Sequence, residues 1–357
     1  QGMQRNIITG LDIGTSKIGV VIGEMTGDNR LRVLGVGRSP SRGLKKGVVI
    51  DLDKAVEAIE EAVQEAQLTA GLEISDVVVG IAGDHIRSVN SRGVVAVSRD
   101  DNEISKEDVE RVIDAAKAIA LPIDRELLHV IPQEYIVDDQ KGIKNPVGIS
   151  GVRLEGEVHI VTGAVTSAQN IIRSVDKAGL STLTLVLEPL ASSYAVLDEN
   201  EKELGVALID VGGGTTDISL FYEGAIRNTA VIGLGGQNVT NDIALGMRTP
   251  LEEAEKIKRS HGHCLQDHTE ENQTFSVPGI GGRPPVEVTA PVLASIIQPR
   301  MEEIFKLAAK EIKRSEYSDM LGAGIVLTGG GSMLTGADSL AEEIFGVPVK
   351  IGMPDKF

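Results

Sequence analysis

The sequence predicts an α/β fold that contains an internal duplication, and three observations predict it. Short apolar runs alternate with amphipathic stretches, which places strands and helices in turn along the chain. The order strand, Asp, glycine turn, Thr/Ser, strand occurs twice, at Asp12 and at Asp210. Glycine is frequent, 41 of 357 residues, so the backbone must turn sharply or approach something closely at many points.

In order, Ile7 to Ile13 reads as a strand, and Gly14-Thr15-Ser16 as the turn that follows. Lys17 to Glu24 and Leu31 to Gly37 continue a β-meander across Gly27-Asp28-Asn29. Asp53 is placed to cap a helix with Val56, Ile59, Val63 and Ala66 on its apolar face. Asp76 to Ala82 is a near-continuous apolar strand. A second block, about 84 to 166, holds strands at Val89 to Ser98, His129 to Val137 and Glu157 to Val161. Its helix starts in a capping box, Ser105-Lys106-Glu107-Asp108, ahead of Val109, Val112, Ile113 and Ala116. The block reads as a small subdomain inserted in the first.

A helix near Ala168 to Lys177, a strand Leu183 to Leu187 and a helix from Glu188-Pro189 follow. The second meander runs Val206 to Val211, Gly212-Gly213-Gly214, Asp217 to Tyr222, then Ala225 to Val231. Gly235-Gly236 opens a helix to about Gly246, and Pro250 another to Arg259. Residues 260 to 290 are a Gly/Pro-rich loop with one hairpin. Pro291 starts a long helix to about Arg314, with a disturbance expected at Pro299. Ala323 to Leu327 is a strand, Thr328 to Ser332 a turn, and Gly336 to Phe345 a helix.

The composition bounds the function. The length allows roughly two to three domains, and 41% apolar with 24% charged residues is ordinary globular usage. No apolar run approaches the ~20 residues that span a bilayer. The first residues do not read as a secretory signal, and Gln1-Gly2 before Met3 looks like a cloning remnant. Thirty-five basic against 52 acidic residues give a net charge of −17, which repels nucleic acid and anionic lipid. The single cysteine, Cys264, excludes an internal disulfide and a thiolate zinc cluster and suits a reducing cytoplasm.

A polyphosphate needs many backbone N–H donors close together, with no side chains to block the approach. Two glycine turns facing each other could hold a phosphate chain from both sides. Mg²⁺ keeps much of its water shell and takes one or two carboxylates besides phosphate oxygens, so Asp12 and Asp210 are placed to hold it through water. Each glycine run alone could be a plain hairpin turn. Three in order, each at a strand end, are harder to explain that way. A P-loop is excluded, because no Gly-Lys pair occurs, and no G-x-G-x-x-G follows a strand into a helix.

Asp12-Ile13-Gly14-Thr15-Ser16-Lys17-Ile18-Gly19 resembles the first phosphate motif of the actin, Hsp70 and sugar-kinase superfamily. Ile209-Asp210-Val211-Gly212-Gly213-Gly214-Thr215-Thr216-Asp217 resembles its second. Glu188 to Ser193 resembles its connecting helix, and Leu327 to Ser332 its adenosine motif. Within that superfamily the chain resembles the FtsA family of bacterial cell division. Ser41-Arg42-Gly43-Leu44, Ile131-Pro132-Gln133-Glu134-Tyr135, Asn145-Pro146, Gly151-Val152-Arg153-Leu154 and Lys258-Arg259-Ser260-His261-Gly262 carry this second likeness. The hairpin near 31 to 50 runs straight into the helix at Asp53, leaving no room there for the extra subdomain of actin and Hsp70. The surplus residues come at 84–166, where FtsA-like proteins carry subdomain 1C.

The resemblance implies an actin-like, ribonuclease H-like duplicated, two-lobed ATPase fold with an inserted α+β subdomain. Subdomain 1A would be residues 1–83 and 167–200, with its C-terminal part missing, and 1C residues 84–166. Subdomain 2A would be residues 201–238 and 317–357, and 2B residues 239–316. ATP and Mg²⁺ are the implied cofactors. Gly14, Thr15, Ser16, Lys17, Gly213, Gly214, Thr215 and Thr216 would bind phosphates. Gly235, Gly236, Gly330, Gly331, Ser332 and Met333 would lie near the nucleoside. Glu255 and Lys258 match the pair that brackets adenine and ribose, although their spacing also suits a solvated intrahelical ion pair. Glu188 and Asp217 match positions that orient the attacking water, and both slow hydrolysis and plain nucleotide binding stay open.

The implied role is a division scaffold on the cytoplasmic face of the inner membrane. It would self-associate into filaments, dock the FtsZ tail on subdomain 2B near Arg300 and Lys306, and recruit later division proteins through 1C. Membrane contact in the family runs through a C-terminal amphipathic helix, which the chain ending at Lys356-Phe357 is expected to lack. A pilus-assembly relative with the same fold is the alternative. A sugar kinase would need a polar substrate pocket and a catalytic aspartate. An Hsp70-like chaperone would need a β-rich peptide domain, for which no residues remain. His261, His263, Cys264 and His268 fit no zinc pattern well, and His85, His129 and His159 read as structural.

Overall fold

The computed structural model describes residues 5–354; the cloning remnant read at residues 1–2 and the ending at 356–357 lie outside them. In the first lobe, β1 (Ile7–Ile13), β2 (Lys17–Met25) and β3 (Leu31–Pro40) form the expected antiparallel meander. A short hairpin, β4 (Leu44–Lys45) and β5 (Val48–Val49), leads to α1 (Leu52–Ala70) and β6 (Asp76–Ile81). Asp51, not Asp53, caps α1: its side chain accepts from the Lys54 N–H, and Asp53 lies in the first turn, where its charge suits the helix dipole.

The insert follows as β7 (Arg87–Ala96), α2 (Lys106–Lys117), β8 (Arg125–Val137), β9 (Gln140–Ile143) and β10 (Arg153–Ala164). Its sheet has the order β7-β10-β8-β9. The Ser105–Asp108 capping box forms as expected. Asp108 is buried, and bonds from Ser105, Arg111 and Ser98 hold its carboxyl well below the usual range against the opposing effect of burial. The chain returns through α3 (Val165–Lys177) to β11 (Ser181–Leu187), which completes the first sheet in the order β11-β6-β1-β2-β3.

Helices α4 (Glu188–Val196) and α5 (Glu199–Leu204) cross to the second lobe. There β12 (Val206–Val211), β13 (Thr216–Tyr222) and β14 (Ala225–Ile232) form the second meander. Next come α6 (Gly236–Met247), α7 (Leu251–His261), the hairpin β15 (Thr274–Val277) and β16 (Val286–Thr289), and α8 (Ala290–Arg314). α8 runs on through Pro299, so the expected disturbance does not break the helix. β17 (Ile325–Thr328), a 3₁₀ turn at Gly330–Met333, α9 (Ala337–Phe345) and β18 (Val349–Ile351) close the chain.

The second sheet has the order β14-β13-β12-β17-β18, and the duplication is complete in topology. Each lobe has an antiparallel meander whose first strand pairs in parallel with a strand reached through helices. Buried Leu11, Ile13, Ile18, Val20, Ile59, Ala62 and Val79 pack α1 and α3 onto one face of the first sheet. In the second lobe, Ile209, Val211, Ile218, Ile297, Met301 and Phe305 bury α6 to α9 against one face. Val196, Leu197 and Phe221 fill the other. The first sheet leaves Ile8, Val21, Val33 and Val36 exposed on the opposite side.

Candidate functional site

The two glycine turns have the same geometry. Gly14 N–H donates to Lys17 O at 3.1 Å, and Gly212 N–H donates to Thr215 O at 3.0 Å. Each closes a four-residue turn between paired strands, Ile13 opposite Ile18 and Val211 opposite Thr216. The two turns also face each other. A methyl placed on Gly213 would lie 1.9 Å from Ser16 Oγ, and one on Gly214 2.8 Å from Thr15 Oγ1. Thr15 is half-buried, whereas Ser16 and Lys17 are exposed. Thr215 and Thr216 are buried, and the Thr216 hydroxyl donates to Leu234 O at 2.9 Å, which commits it to the fold.

Behind the turns four carboxylates converge from both lobes. Asp12 and Asp210 sit at corresponding strand ends, Glu188 starts α4, and Asp217 lies opposite Asp210 on β13. Glu188 is pushed well above the ordinary carboxylate range, first by burial and then by the charges of Asp12 and Asp217. A hydrogen bond shared with Asp12 adds to the rise. Asp12 is raised by burial, with that bond and the Lys17 charge opposing. Asp210 is raised to about 6 by burial, against a bond from Ser192 Oγ at 3.2 Å. Asp217 is raised well above its ordinary value by burial and then by Asp210. Asp12 still meets solvent, and Glu188 and Asp210 are only half-buried, so water tempers their desolvation. Asp217 is buried with its Oδ1 unpartnered by any protein group. The site concentrates negative charge that its own groups do not balance.

The start of α6 is joined to the second turn. Gly236 N–H donates to Gly212 O at 2.8 Å and Gln237 N–H to Gly213 O at 2.9 Å. Glu255 and Lys258 meet at 2.7 Å on α7, and this is more than a solvated pair. Lys258 Nζ also donates to Gly236 O at 3.2 Å and Thr240 Oγ1 at 2.9 Å, tying α7 to the start of α6. Burial raises the Glu255 carboxyl, but bonds from Lys258 and Thr240 outweigh it and bring it to about 2.

In the third glycine run, Gly329 takes a left-handed φ of 84°, and a methyl there would lie 2.3 Å from Asp210 Oδ1. Only glycine suits both constraints. Gly330 faces open space, Gly331 packs under Val211, and Met333 is exposed. Ser332 is buried and its hydroxyl donates to Gly329 O at 2.6 Å, bracing the turn.

Sequence reasoning left Ser192 without a role and missed Thr240, because each acts through a partner distant in the chain. Among the described residues no cluster of three His, Cys, Asp or Glu is arranged to hold a metal. His261 stacks on Phe275, and Cys264 is buried with its thiol pushed up to about 12 by burial. His129 and His159 are hydrogen-bonded, while His85 pairs one nitrogen and leaves Nε2 without a partner.

The geometry can be set beside known proteins. Residues 207–356 match the family model described as cell division protein FtsA, and residues 83–162 match the SHS2 domain inserted in FtsA. The cell division protein FtsA of Pseudomonas aeruginosa is 52% identical over 348 residues, covering 98% of this chain and 83% of that protein. Among solved structures, the PilM–PilN type IV pilus biogenesis complex aligns with a TM-score of 0.70 at 20% identity. That alignment covers 97% of this chain and 88% of the other. MreB5 of Spiroplasma citri bound to ADP aligns with a TM-score of 0.60 at 14% identity, covering 98% of this chain and 92% of that one. At those identities the two structures establish an actin-like fold and nothing further.

Proposed function

This chain belongs to the FtsA family of cell division proteins, and from that premise we propose that it works as a nucleotide-dependent division scaffold. It holds ATP with Mg²⁺ between two lobes, assembles with copies of itself, and connects FtsZ to the cytoplasmic membrane. The observation that carries the nucleotide reading is the facing pair of acid-plus-glycine turns. In this reading residues 14–17 and 213–216 take the phosphates, with Gly235, Gly236, Glu255, Lys258 and residues 330–333 around the nucleoside. The turns touch, so they part to admit a phosphate chain.

The carboxylates fit a magnesium ion. Four of them face one another, all with raised proton affinity, and one Asp217 oxygen has no partner. Because no three ligands are gathered ready-made among the described residues, Asp12 and Asp210 would hold the ion through water, with phosphate oxygens completing its shell. Bound there, Mg²⁺ would neutralise phosphate charge. Glu188 and Asp217 are the residues that would orient a water for hydrolysis. Burial and the charges of Asp12 and Asp217 raise the proton affinity of Glu188, which suits a group that takes a proton from water. A crystal grown with ATP and Mg²⁺ tests the reading. Density for the phosphates between residues 14–17 and 213–216 is expected, and an empty cleft at saturating nucleotide contradicts it.

The four subdomains expected from the sequence support the division of labour. A separate sheet and a family match at 83–162 support reading residues 84–166 as a subdomain of its own, and to it we assign the recruiting role. For the FtsZ tail we assign the α8 side of 2B. A groove of about 650 Å³ between α8 and α9 is lined by Lys306, Lys310, Lys313 and Arg314 beside Glu343 and Ile344. Such a surface suits an acidic peptide on an otherwise acidic chain. Arg300 is already held by Asp242 at 2.7 and 3.0 Å, so it braces α6 against α8. Pull-down with the FtsZ C-terminal peptide tests this, and no capture at micromolar peptide contradicts it. No helix among the described residues is long and apolar enough to cross a membrane. The likeness to PilM is one of fold alone, and no feature of the site favours the pilus reading.

A further inference from the structure

His129 belongs to β8 of the inserted sheet, yet its ring serves the first lobe. Its Nε2 accepts the Leu187 N–H at 2.9 Å. Leu187 is the N-cap of α4, the helix that brings Glu188 to Asp12 and Ser192 to Asp210. No side chain of its own caps α4. An imidazole from another sheet therefore fixes the place where the helix begins. To accept at Nε2 the ring must be neutral with its proton on Nδ1, and burial favours that state by lowering its pKa.

The same strand reaches the second lobe. Ile131, two residues on and so on the same face, packs against the cluster containing Leu208, Phe221 and Ile226. Gln133 falls at a bulge in the β8–β10 pairing, which re-aims its side chain. Its Nε2 donates to Ile226 O at 2.8 Å. Beside it, Asn90 Nδ2 donates to Arg227 O at 2.9 Å and Ser88 Oγ to Thr229 O at 3.0 Å. These carbonyls belong to β14, the edge strand of the second sheet. Side chains of the insert thus cover an edge that would otherwise be open to pairing.

We propose that β8 ties the two lobes together across the cleft, and that His129 is a positioning residue acting through the start of α4 on Glu188 and Ser192. The positioning half rests on the ATP·Mg²⁺ reading of the cleft; the tie does not. Any protein that moves the inserted sheet would then alter nucleotide affinity, and nucleotide would alter its affinity by the same factor.

The test compares His129→Phe, which keeps a ring but no acceptor, with His129→Gln, whose amide oxygen can restore the bond. Amide exchange is read first, on the full chain without nucleotide. His129→Phe should exchange about tenfold faster or more at residues 187–190, with 226–232 still protected, and His129→Gln should return toward the parent. Calorimetry should then show Mg²⁺–ATP affinity about fivefold weaker for His129→Phe and recovered in His129→Gln, with melting temperatures as the check on global structure. Unchanged exchange at 187–190 overturns the tie. Faster exchange with unchanged affinity overturns the positioning role. A parent chain that bound no ATP would overturn the nucleotide reading and the positioning role with it, while exchange alone would decide the tie.

Discussion

Replacing Gly235 by alanine perturbs the cleft while leaving every charge in place. A Cβ at 235 would lie 2.5 Å from Gly212 O, 2.6 Å from Gly213 O and 2.8 Å from the Gly213 carbonyl carbon. These are backbone atoms, so the second turn must move away from the start of α6. Gly235 has φ of −160°, open to any residue, so the cost is contact and not backbone strain. The displacement strikes the bonds from Gly236 N–H and Gln237 N–H to that turn, 2.8 and 2.9 Å long. At about 1 kcal/mol net each, losing both costs about 2 kcal/mol. Expressed at a turn to which the proposal gives the phosphates, this is roughly a thirtyfold loss of affinity. The assay is calorimetric titration with ATP and Mg²⁺ beside Gly10→Ala, whose Cβ would meet nothing within 4 Å. Gly235→Ala binding within twofold of the parent, with melting unchanged, would refute the role given to this junction.

Three further outcomes are expected. At Gly330 a Cβ would meet no protein atom within 4 Å, so Gly330→Ala should melt like the parent yet bind ATP several-fold more weakly; equal affinity would move the nucleoside elsewhere. Asp210, raised to about 6 from an ordinary 3.8, adds stability that is full below about pH 4 and lost as pH rises through 6. Glu188 and Asp217 act in the same direction, so Asp210→Asn should stabilise the nucleotide-free chain at pH 7.5 by about 1–2 kcal/mol after allowance for solvent screening. Thermal melts should show its gain from pH 7.5 to pH 5 shrinking, and an unchanged gain would remove Asp210 from the account. Lys310→Glu with Lys313→Glu should abolish FtsZ-peptide capture at unchanged melting temperature, whereas Arg300→Ala should lower the melting temperature by freeing Asp242. The reverse pattern would place the peptide elsewhere.

Much of this molecule was legible because its information is local. Strand runs such as Ile7–Ile13 and Val206–Val211, and glycine turns between them, announce themselves by spacing. Asp12 and Asp210 could be singled out because each stands at a strand end beside such a turn, whereas Glu188 and Asp217 came through the family resemblance. Short elements carried too little pattern: α5, β9 and β18 span six, four and three residues and were not foreseen. Asp51 and Asp53 are both good caps by composition, and only the backbone turning at 51 separates them. Hydroxyl chemistry was the other blind spot. Thr216 and Ser332 read as phosphate and nucleoside contacts in sequence, and the sequence does not show that the hydroxyl of each also donates to a nearby carbonyl. Ties such as His129 to Leu187 or Gln133 to Ile226 join residues 58 and 93 apart, and no periodicity encodes them.

In the proposed function the raised carboxylates and the paired turns share one ligand, which brings phosphate oxygens and a divalent cation together. Titrating the folded chain with ATP, once with Mg²⁺ and once with EDTA, tests that reading most directly. Saturable binding that weakens by an order of magnitude or more when the metal is withdrawn is the expected result. Affinity indifferent to the metal, or no heat at all from protein shown to be folded, would contradict it.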